Sequence, residues 1–159
     1  MEWYLKVLSN YFNFKGRARR KEYWMFILYN LIFSIIIILV ENMLDWNFKI
    51  PIEEFPELQI GVISTIYSLF VLIPSIAVMT RRLHDTGKRG FWMFLLFAPY
   101  LSFIFYFNSQ IFNGVYSFLT LVSYFIFIRF LLTDSNPEAN KYGKNPKEVK
   151  ISSKNTDIF

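Results

Sequence analysis

The sequence of 159 residues contains no cysteine and a single histidine, His84. The lack of cysteine excludes disulfides, thiolate metal sites and a cysteine nucleophile. With one histidine, one chain cannot build a metal site from several histidines. A glycine-rich phosphate loop, a zinc-protease histidine pair and a serine elbow are also missing. We therefore predict no catalytic residue, no metal site and no cofactor, and nothing in the sequence argues for an enzyme.

Charged residues are scarce, at 18% of the chain, whereas 54% of the residues are apolar and 21% are aromatic. The charges stand in a few clusters, and the stretches between these clusters have none. The basic residues responsible for the net charge of +5 flank the apolar runs and form no stripe on a folded domain. We therefore expect them to face an anionic membrane surface and expect no nucleic-acid partner.

Four apolar stretches are long enough, or nearly so, to cross a hydrocarbon core of about 30 Å. They are residues 23–44, 60–79, 91–107 and 111–132. The last two belong to one uncharged run, residues 91–128, which as a single helix would be about 57 Å long and must therefore fold back. The expected fold class is an all-α polytopic membrane protein with four transmembrane helices. Residues 1–147 are predicted to form one integral membrane domain, and residues 148–159 a flexible cytoplasmic tail.

The first thirteen residues have an apolar face at helical spacing, which includes Trp3, Tyr4, Val7 and Tyr11. This pattern predicts an amphipathic helix. Two interpretations stay open at this point. The helix can lie in the headgroup layer of the membrane, or it can be an ordinary helix packed on the rest of the protein.

The basic residues also predict the orientation of the chain, because arginine and lysine near span ends stay on the cytoplasmic side. Sixteen of the seventeen basic residues lie in the N-terminal segment, in the loop at residues 80–90 or in the C-terminal region. The first outer loop contains only Lys49, and the second contains none. The sequence therefore predicts four spans with both termini in the cytoplasm. Glu41, one turn before Asp45, is expected to be a plain interfacial acid at the outer end of the first span.

The segment GRARRKEYW, residues 16–24, holds the first candidate site residues: Arg17, Arg19 and Arg20. They can be simple topogenic anchors of the first span, or they can recognise anionic lipid headgroups.

The segment RRLHDTG, residues 81–87, is the most chemically loaded part of the chain. We predict that Arg81 and Arg82 bind an anionic lipid or a partner, since arginine pairs with phosphate through two hydrogen bonds at once. His84, Asp85 and Gly87 are predicted to shape a tight loop. A proton-transfer pair of His84 and Asp85 would need a turn, because adjacent helical residues do not face each other.

Several stretches together resemble the YhaH/YhaI-like bacterial inner-membrane family, catalogued as domain of unknown function 805. They are WYLKVLSNYFNFKGRARRKEYWMF, RRLHDTGKRGFW with Pro99 soon after it, and NKYGKNP. The resemblance covers residues 1–100 closely and 133–147 loosely. It implies a multi-pass protein of the bacterial plasma (inner) membrane, and it implies no activity, since none is assigned to the family. The positions that match the family's marked residues are Gly16, Arg17, Arg19, Arg20, Tyr23, Trp24, Arg81, Arg82, Leu83, His84, Asp85, Gly87, Trp92, Pro99, Asn140, Tyr142, Gly143 and Pro146.

Residues 16–24 and 81–87 are expected to lie together on the cytoplasmic face, and residues 140–146 should join them there if the fourth span exists. The resulting functional hypothesis is a non-enzymatic scaffold or accessory protein with a basic cytoplasmic face. Its expected partners are membrane lipids, with anionic headgroups, an unknown protein or a second copy of the chain as candidates. A small transporter or channel component is the alternative, and it would need a polar path lined by residues such as Asn30, Thr65, Ser68 and Ser75. A membrane-embedded lipid-modifying enzyme comes third.

Overall fold

The computed structural model describes residues 1–49, 59–97 and 110–147. The elements follow in the order α1 (Glu2–Ser9), α2 (Arg20–Leu44), β1 (Asn47–Lys49), β2 (Gln59–Gly61), α3 (Val62–Asp85), a 3₁₀ helix (Gly90–Phe97) and α4 (Gln110–Leu132). The two strands pair antiparallel, with Phe48 opposite Ile60. This short pair follows the first span, where the sequence had indicated only a polar loop.

Three of the described helices are long and apolar enough to cross a membrane: α2, α3 and residues Phe112–Leu132 of α4. Large apolar side chains point outward from all three, among them Ile36, Leu69 and Phe118, which are 51%, 63% and 65% exposed. Apolar surface on this scale is costly in water but is the expected lining against lipid. The prediction of an all-α polytopic membrane protein is confirmed at this level.

The predicted spans at residues 23–44 and 111–132 agree closely with α2 and α4. The span predicted at residues 91–107 is different, since its described part is an eight-residue 3₁₀ helix, Gly90–Phe97. The rest of that span lies outside the described residues, as do residues 108 and 109 of the break that the sequence predicts at residues 108–110. Gln110 is the first residue of α4. The predicted tail at residues 148–159 lies outside them too.

α3 is longer than the apolar run that predicted it, because it continues from Met79 to Asp85. Arg81, Arg82 and His84 are therefore helical, and the prediction that they form a loop is wrong. The apolar run marks only the part of the helix that can contact lipid. The helix itself ends where Gly87 provides a left-handed residue, and Pro74 lies inside it.

The chain divides into two compact units, residues 1–13 with 21–77, and residues 14–20 with 78–159. In the first unit, Tyr4 of α1 is buried with its ring 5.2 Å from Phe26 and 5.4 Å from Phe33, both on α2. α1 thus packs through its Tyr4 face, and a place for it in the headgroup layer stays a prediction. That residues 1–147 form one membrane domain also stays a prediction.

Glu41 lies in the first unit and is buried, at 1% exposure. Its carboxylate accepts a hydrogen bond of 2.9 Å from the backbone N–H of Ser64, in the first turn of α3. The expectation of a plain interfacial acid is therefore corrected. Glu41 accepts a hydrogen bond from a backbone N–H in the first turn of α3, where such groups have no acceptor within the helix. A Cβ atom at Gly61 would lie 2.0 Å from Oε2 of Glu41, so this contact requires glycine at that position.

Candidate functional site

The second unit contains residues 14–20 of the first family-like segment and the whole of the segments RRLHDTGKRGFW and NKYGKNP. Its apolar core is formed by Ala18, Val78, Leu83, Phe127 and Leu131, all buried. A Schellman motif ends α3 above this core. Gly87 has φ +75°, its N–H donates to the carbonyl of His84 at 3.0 Å, and the N–H of Lys88 donates to the carbonyl of Leu83 at 2.9 Å. The predicted loop-shaping role of Gly87 thus takes the form of a helix C-cap.

Asp85, the last residue of α3, is completely buried and accepts hydrogen bonds from three side chains. Arg17 Nε donates at 2.9 Å, and both Arg82 Nη1 and Ser135 Oγ donate at 2.5 Å. Two cations therefore surround one buried carboxylate, a grouping that is tolerable inside a protein only because the charges are paired and hydrogen-bonded. We call Arg17, Arg82, Asp85 and Ser135 the buried charge cluster.

The remaining donors of Arg17 bind backbone carbonyl groups of the C-terminal segment. They donate to Asn136 O at 2.6 Å, Glu138 O at 2.8 Å and Gly143 O at 3.2 Å. The side chain is 1% exposed. Arg17 thus uses the planar fork of donors that distinguishes arginine from lysine to fix residues 136–143 beside the end of α3.

Arg82 binds the end of α4 in the same manner. It donates to Leu131 O at 3.2 Å and also to the carbonyl of Thr133, and it contacts Ala18 O at 3.4 Å. The carbonyl groups of Leu131 and Thr133 lie at a helix C-terminus, where such groups lack partners within the helix. Arg82 is 0% exposed, so its guanidinium group faces groups of its own chain.

His84 lies on a different side of the last turn of α3 from Asp85. Its Nδ1 is 3.3 Å from Gly16 O, and its ring stacks on Tyr142 with centroids 3.7 Å apart and planes 6° from parallel. Because a carbonyl oxygen only accepts, Nδ1 carries the proton in this contact. His84 and Asp85 therefore have separate partners and do not form a dyad, and their predicted role in shaping the structure stays a prediction.

The segment Asn140–Pro146 completes the unit. Asn140 donates from its side chain to His84 O at 2.9 Å and pairs through its backbone with Gly143. Asn145 is buried and donates to Pro137 O at 3.0 Å, and Arg19 donates to the carbonyl of Pro146. The structure therefore brings residues 16–20 of GRARRKEYW together with RRLHDTG and NKYGKNP, as predicted for these segments.

The five arginines predicted to bind an anion have different environments. Arg17, Arg81 and Arg82 are buried, Arg19 is half-buried and Arg20 is exposed. Arg81 also joins two segments through its backbone, because its carbonyl accepts from Ala18 N–H at 3.0 Å. Burial removes the side chains of Arg17 and Arg82 from contact with an outside anion in this structure.

The described part of the second unit also has a set of exposed cations. From the sequence, most of them were expected only to orient the chain in the membrane. They are Lys15, Arg20, Lys88, Arg89, Arg129, Lys141, Lys144 and Lys147. The acids described in this unit are Asp85, Asp134 and Glu138, of which Asp85 is already neutralised inside. The solvent-facing surface of this unit is therefore strongly basic.

Asp134 is the exposed acid that meets these cations. Lys147 Nζ donates to its Oδ1 at 2.6 Å, and the backbone N–H of Ser135 donates to the same oxygen at 2.8 Å. Arg20 Nε is 3.6 Å from Oδ1. The Lys147 hydrogen bond, followed by that of Ser135, lowers the pKa of Asp134 below its ordinary value.

The hydroxyl groups considered as the lining of a polar path donate to backbone carbonyls three or four residues earlier in the chain. Thr65 donates to Gly61 O at 2.6 Å, Ser68 to Thr65 O at 2.8 Å and Ser75 to Val71 O at 2.6 Å. Asn30 accepts from Tyr67 Oη at 2.7 Å. Such bonds to the preceding turn are the usual way to satisfy a hydroxyl inside a helix, and they give no support to a channel.

Ser135 and Asn136 are site residues that sequence reasoning missed. They lie in a polar stretch, and no local pattern indicates that one would contact a carboxylate fifty residues earlier in the chain. Their only signal was the concentration of serine, asparagine, proline and glycine after α4, which is typical of turns.

Comparisons with known proteins found one matching family model and several related proteins. The family model described as "Protein of unknown function (DUF805)" matches residues 11–144. The inner membrane protein YhaH of Escherichia coli (strain K12) is 38% identical over 92% of this chain and 98% of its own length. The inner membrane protein YhaI of the same organism is 34% identical over 92% of this chain and 97% of its own length. The uncharacterized protein YiiR, also from that organism, is 27% identical over 91% and 92%. No solved structure matches the chain.

Proposed function

The chain belongs to the DUF805 family of bacterial inner-membrane proteins, and from this premise we propose that it is a non-enzymatic scaffold or accessory protein that binds anionic lipid headgroups at its basic cytoplasmic surface. Its location is the inner membrane, which it crosses more than once. The family match includes residues 101–132, where the resemblance had not extended.

The observation that supports this function is the division of the cations into two sets. The buried charge cluster uses Arg17 and Arg82 to join distant segments, and their charges meet Asp85. The exposed set has no comparable number of acids around it among the described residues. Each exposed cation near an anionic membrane surface contributes about 1 kcal/mol to attraction, so the anion-binding role falls to the exposed set.

The proposed topology has four spans with both termini in the cytoplasm. The second unit supports it through the number of membrane crossings that its segments require. Residues 14–20, 78–89 and 133–147 contact one another through Arg17, Asp85 and Ser135, which supports their placement on one side of the membrane. α4 accounts for one crossing between residues 90 and 133, so the chain needs a second crossing there. We assign it to the stretch predicted at residues 91–107, most of which lies outside the described residues.

A specific scaffold role requires a stable platform, and the buried charge cluster supports that requirement. Its contacts connect segments that are 68, 119 and 126 residues apart in sequence. Fixed charges on a rigid unit lose less conformational entropy on binding than charges on a flexible tail.

The test is a lipid analysis of the protein purified in mild detergent from bacterial membranes. One variant replaces Lys15, Lys88, Arg89, Lys141 and Lys144 by glutamine, and a matched control exchanges lysine and arginine at the same five positions. We expect the wild type and the control to retain phosphatidylglycerol above its bulk fraction and the glutamine variant to lose this enrichment. Equal lipid composition in all three proteins would refute the lipid role. A stoichiometric protein partner retained equally by all three would identify an accessory subunit that does not depend on these charges.

A further inference from the structure

A small ionic cluster lies where α2 begins and α4 ends. Arg20 is the first residue of α2, and Asp134 follows the last residue of α4, Leu132, by two positions. Lys147 Nζ is 2.6 Å and Arg20 Nε 3.6 Å from the same oxygen, Oδ1 of Asp134. Arg20 is held in place by a hydrogen bond of 3.0 Å from Nη1 to the carbonyl of Leu132. We call Arg20, Asp134 and Lys147 the rim cluster.

The two oxygens of Asp134 differ in their surroundings. The hydrogen bonds from Ser135 and Lys147 to this carboxylate fall on Oδ1, and the ion-pair distance of 3.6 Å from Arg20 Nε is to the same oxygen. The side chains of Arg20, Asp134 and Lys147 are 47%, 54% and 45% exposed. The cluster therefore has two accessible cations on one side of the carboxylate, and Oδ2 has acceptor capacity left for a donor from outside.

The rim cluster is next to surface suited to lipid chains. Ile128 and Leu132, four residues apart on α4 and hence on one side of it, are 46% and 52% exposed. A lipid whose acyl chains lie along this side of α4 would bring its headgroup to the end of the helix, where the ionic groups are.

We propose that the rim cluster binds the zwitterionic headgroup of an aminophospholipid, with the lipid phosphate on Arg20 and Lys147 and the primary ammonium group on Oδ2 of Asp134. The inference goes beyond the attraction of anionic lipid by exposed cations, because it assigns a different headgroup to residues outside the five cations tested there. A carboxylate beside two cations is the complement of a phosphate beside an ammonium group. An anionic headgroup without an amine would leave its phosphate near the charge of Asp134, and like charges at this distance repel.

The three common headgroup types separate the contributions. Phosphatidylethanolamine has both the phosphate and three ammonium N–H donors. Phosphatidylcholine has a cation without an N–H donor, and phosphatidylglycerol has no cation. The ethanolamine lipid should therefore bind best, by about two- to fivefold over the choline lipid, which is the size of effect expected from an exposed ion pair.

The experiment uses the full-length protein in nanodiscs of mixed composition, with native mass spectrometry to count retained lipids of each class. Asp134→Asn removes the negative charge that would pair with the ammonium group and keeps the shape of the side chain. Glu138→Gln is the matched control, because it removes one negative charge from another exposed acid of the same segment. We expect the preference for phosphatidylethanolamine in the wild type and in Glu138→Gln, and its loss in Asp134→Asn. Lys147→Ala should lower retention of all phospholipids at this site.

Two results would overturn the inference. Equal retention of phosphatidylethanolamine and phosphatidylcholine by the wild type would mean that the rim cluster is a surface ion pair and nothing more. An unchanged ethanolamine preference in Asp134→Asn would mean that another site causes it. Phosphatidylglycerol enrichment by the five cations of the proposed function is measured in the same spectra, so either idea can fail while the other stands.

Discussion

Nε of Arg17 donates a hydrogen bond of 2.9 Å to Oδ1 of Asp85, although 68 residues separate the two in the sequence. Both side chains are almost completely buried, at 1% and 0% exposure. The contact joins the segment before α2 to the last turn of α3. Since Arg17 also donates to the carbonyls of Asn136, Glu138 and Gly143, this one pair joins three segments of the second unit.

We predict that Asp85→Asn strongly destabilises the second unit. The substitution keeps the shape of the side chain but leaves Arg17 and Arg82 buried without a counterion, a change that costs about 3–5 kcal/mol in other proteins. The apparent melting temperature in detergent, followed by size-exclusion chromatography after heating, should fall clearly. Asp134→Asn removes an exposed carboxylate and should change it little. Similar melting temperatures for the two variants would contradict the structural role of Asp85.

Arg17→Lys tests whether the charge of Arg17 or its set of donors matters. Lysine retains the charge, so the orientation of the chain should not change. It cannot reach Asp85 and the three carbonyls together, and we expect a loss of about 1–3 kcal/mol, as when buried acceptors lose their partner. Limited proteolysis of the C-terminal segment measures the effect. Arg20→Lys, at an exposed position, serves as the control and should have almost no effect on cleavage.

Gly87 is predicted to tolerate substitution poorly. Its φ of +75° is a left-handed conformation that costs other residues about 1–2 kcal/mol, and a Cβ atom would lie 3.1 Å from Asn136 Nδ2. Gly87→Ala should therefore lower the melting temperature. Gly114→Ala is the comparison, because Gly114 lies inside α4, where a Cβ atom would enter open space among the described residues. That variant should be neutral or slightly stabilising.

The positions of α2 and α4 could be predicted within a few residues because a membrane helix is defined by its apolar length, which is a local property of sequence. The end of α3 could not be predicted in that way. Arg81, Arg82, His84 and Asp85 look like a loop by hydropathy, yet they continue the helix. Arg82 and Asp85 are paired there with groups of distant segments, which local hydropathy does not report.

The site was predicted at the level of segments and not at the level of individual side chains. Sequence reasoning expected GRARRKEYW, RRLHDTG and NKYGKNP to lie together, and residues 16–20 of the first do lie with the other two. It treated Arg17 and Arg82 as surface cations, since the charge of an arginine says nothing about whether a carboxylate and several carbonyls will surround it. The identity of those partners depends on contacts between residues more than forty positions apart, and one sequence contains no pattern that reports them.

The carboxyl group of Asp134 should titrate below the ordinary aspartate value. Its lowered folded-state pKa, caused first by the Lys147 hydrogen bond, means that the contact is fully present above the unfolded-state pKa and is lost as the pH falls through the folded-state value. The effect on stability should be small, because both side chains are about half exposed. The chain has four aspartates, Asp45, Asp85, Asp134 and Asp157, so carbon-13 labelling of aspartate allows the titration to be followed by NMR. Lys147→Ala should raise the pKa of Asp134, and an unchanged value would show that Lys147 is not its cause.

The topology prediction can be tested with single cysteines, since the chain has none of its own. Lys15→Cys and Lys144→Cys place a thiol at two exposed positions of the second unit, and Trp46→Cys places one at an exposed position after α2. With both termini inside, a membrane-impermeant maleimide should label Trp46→Cys in intact spheroplasts. It should label the other two only after the membrane is permeabilised.

Lys15 and Lys144 must also agree with each other, because Arg17 binds the carbonyl of Gly143 and the two segments cannot lie on opposite sides. Labelling of all three from one side would remove a crossing from α2. Labelling of Lys144→Cys and Lys15→Cys from different sides would mean an odd number of spans, and the four-span arrangement would then have to be abandoned.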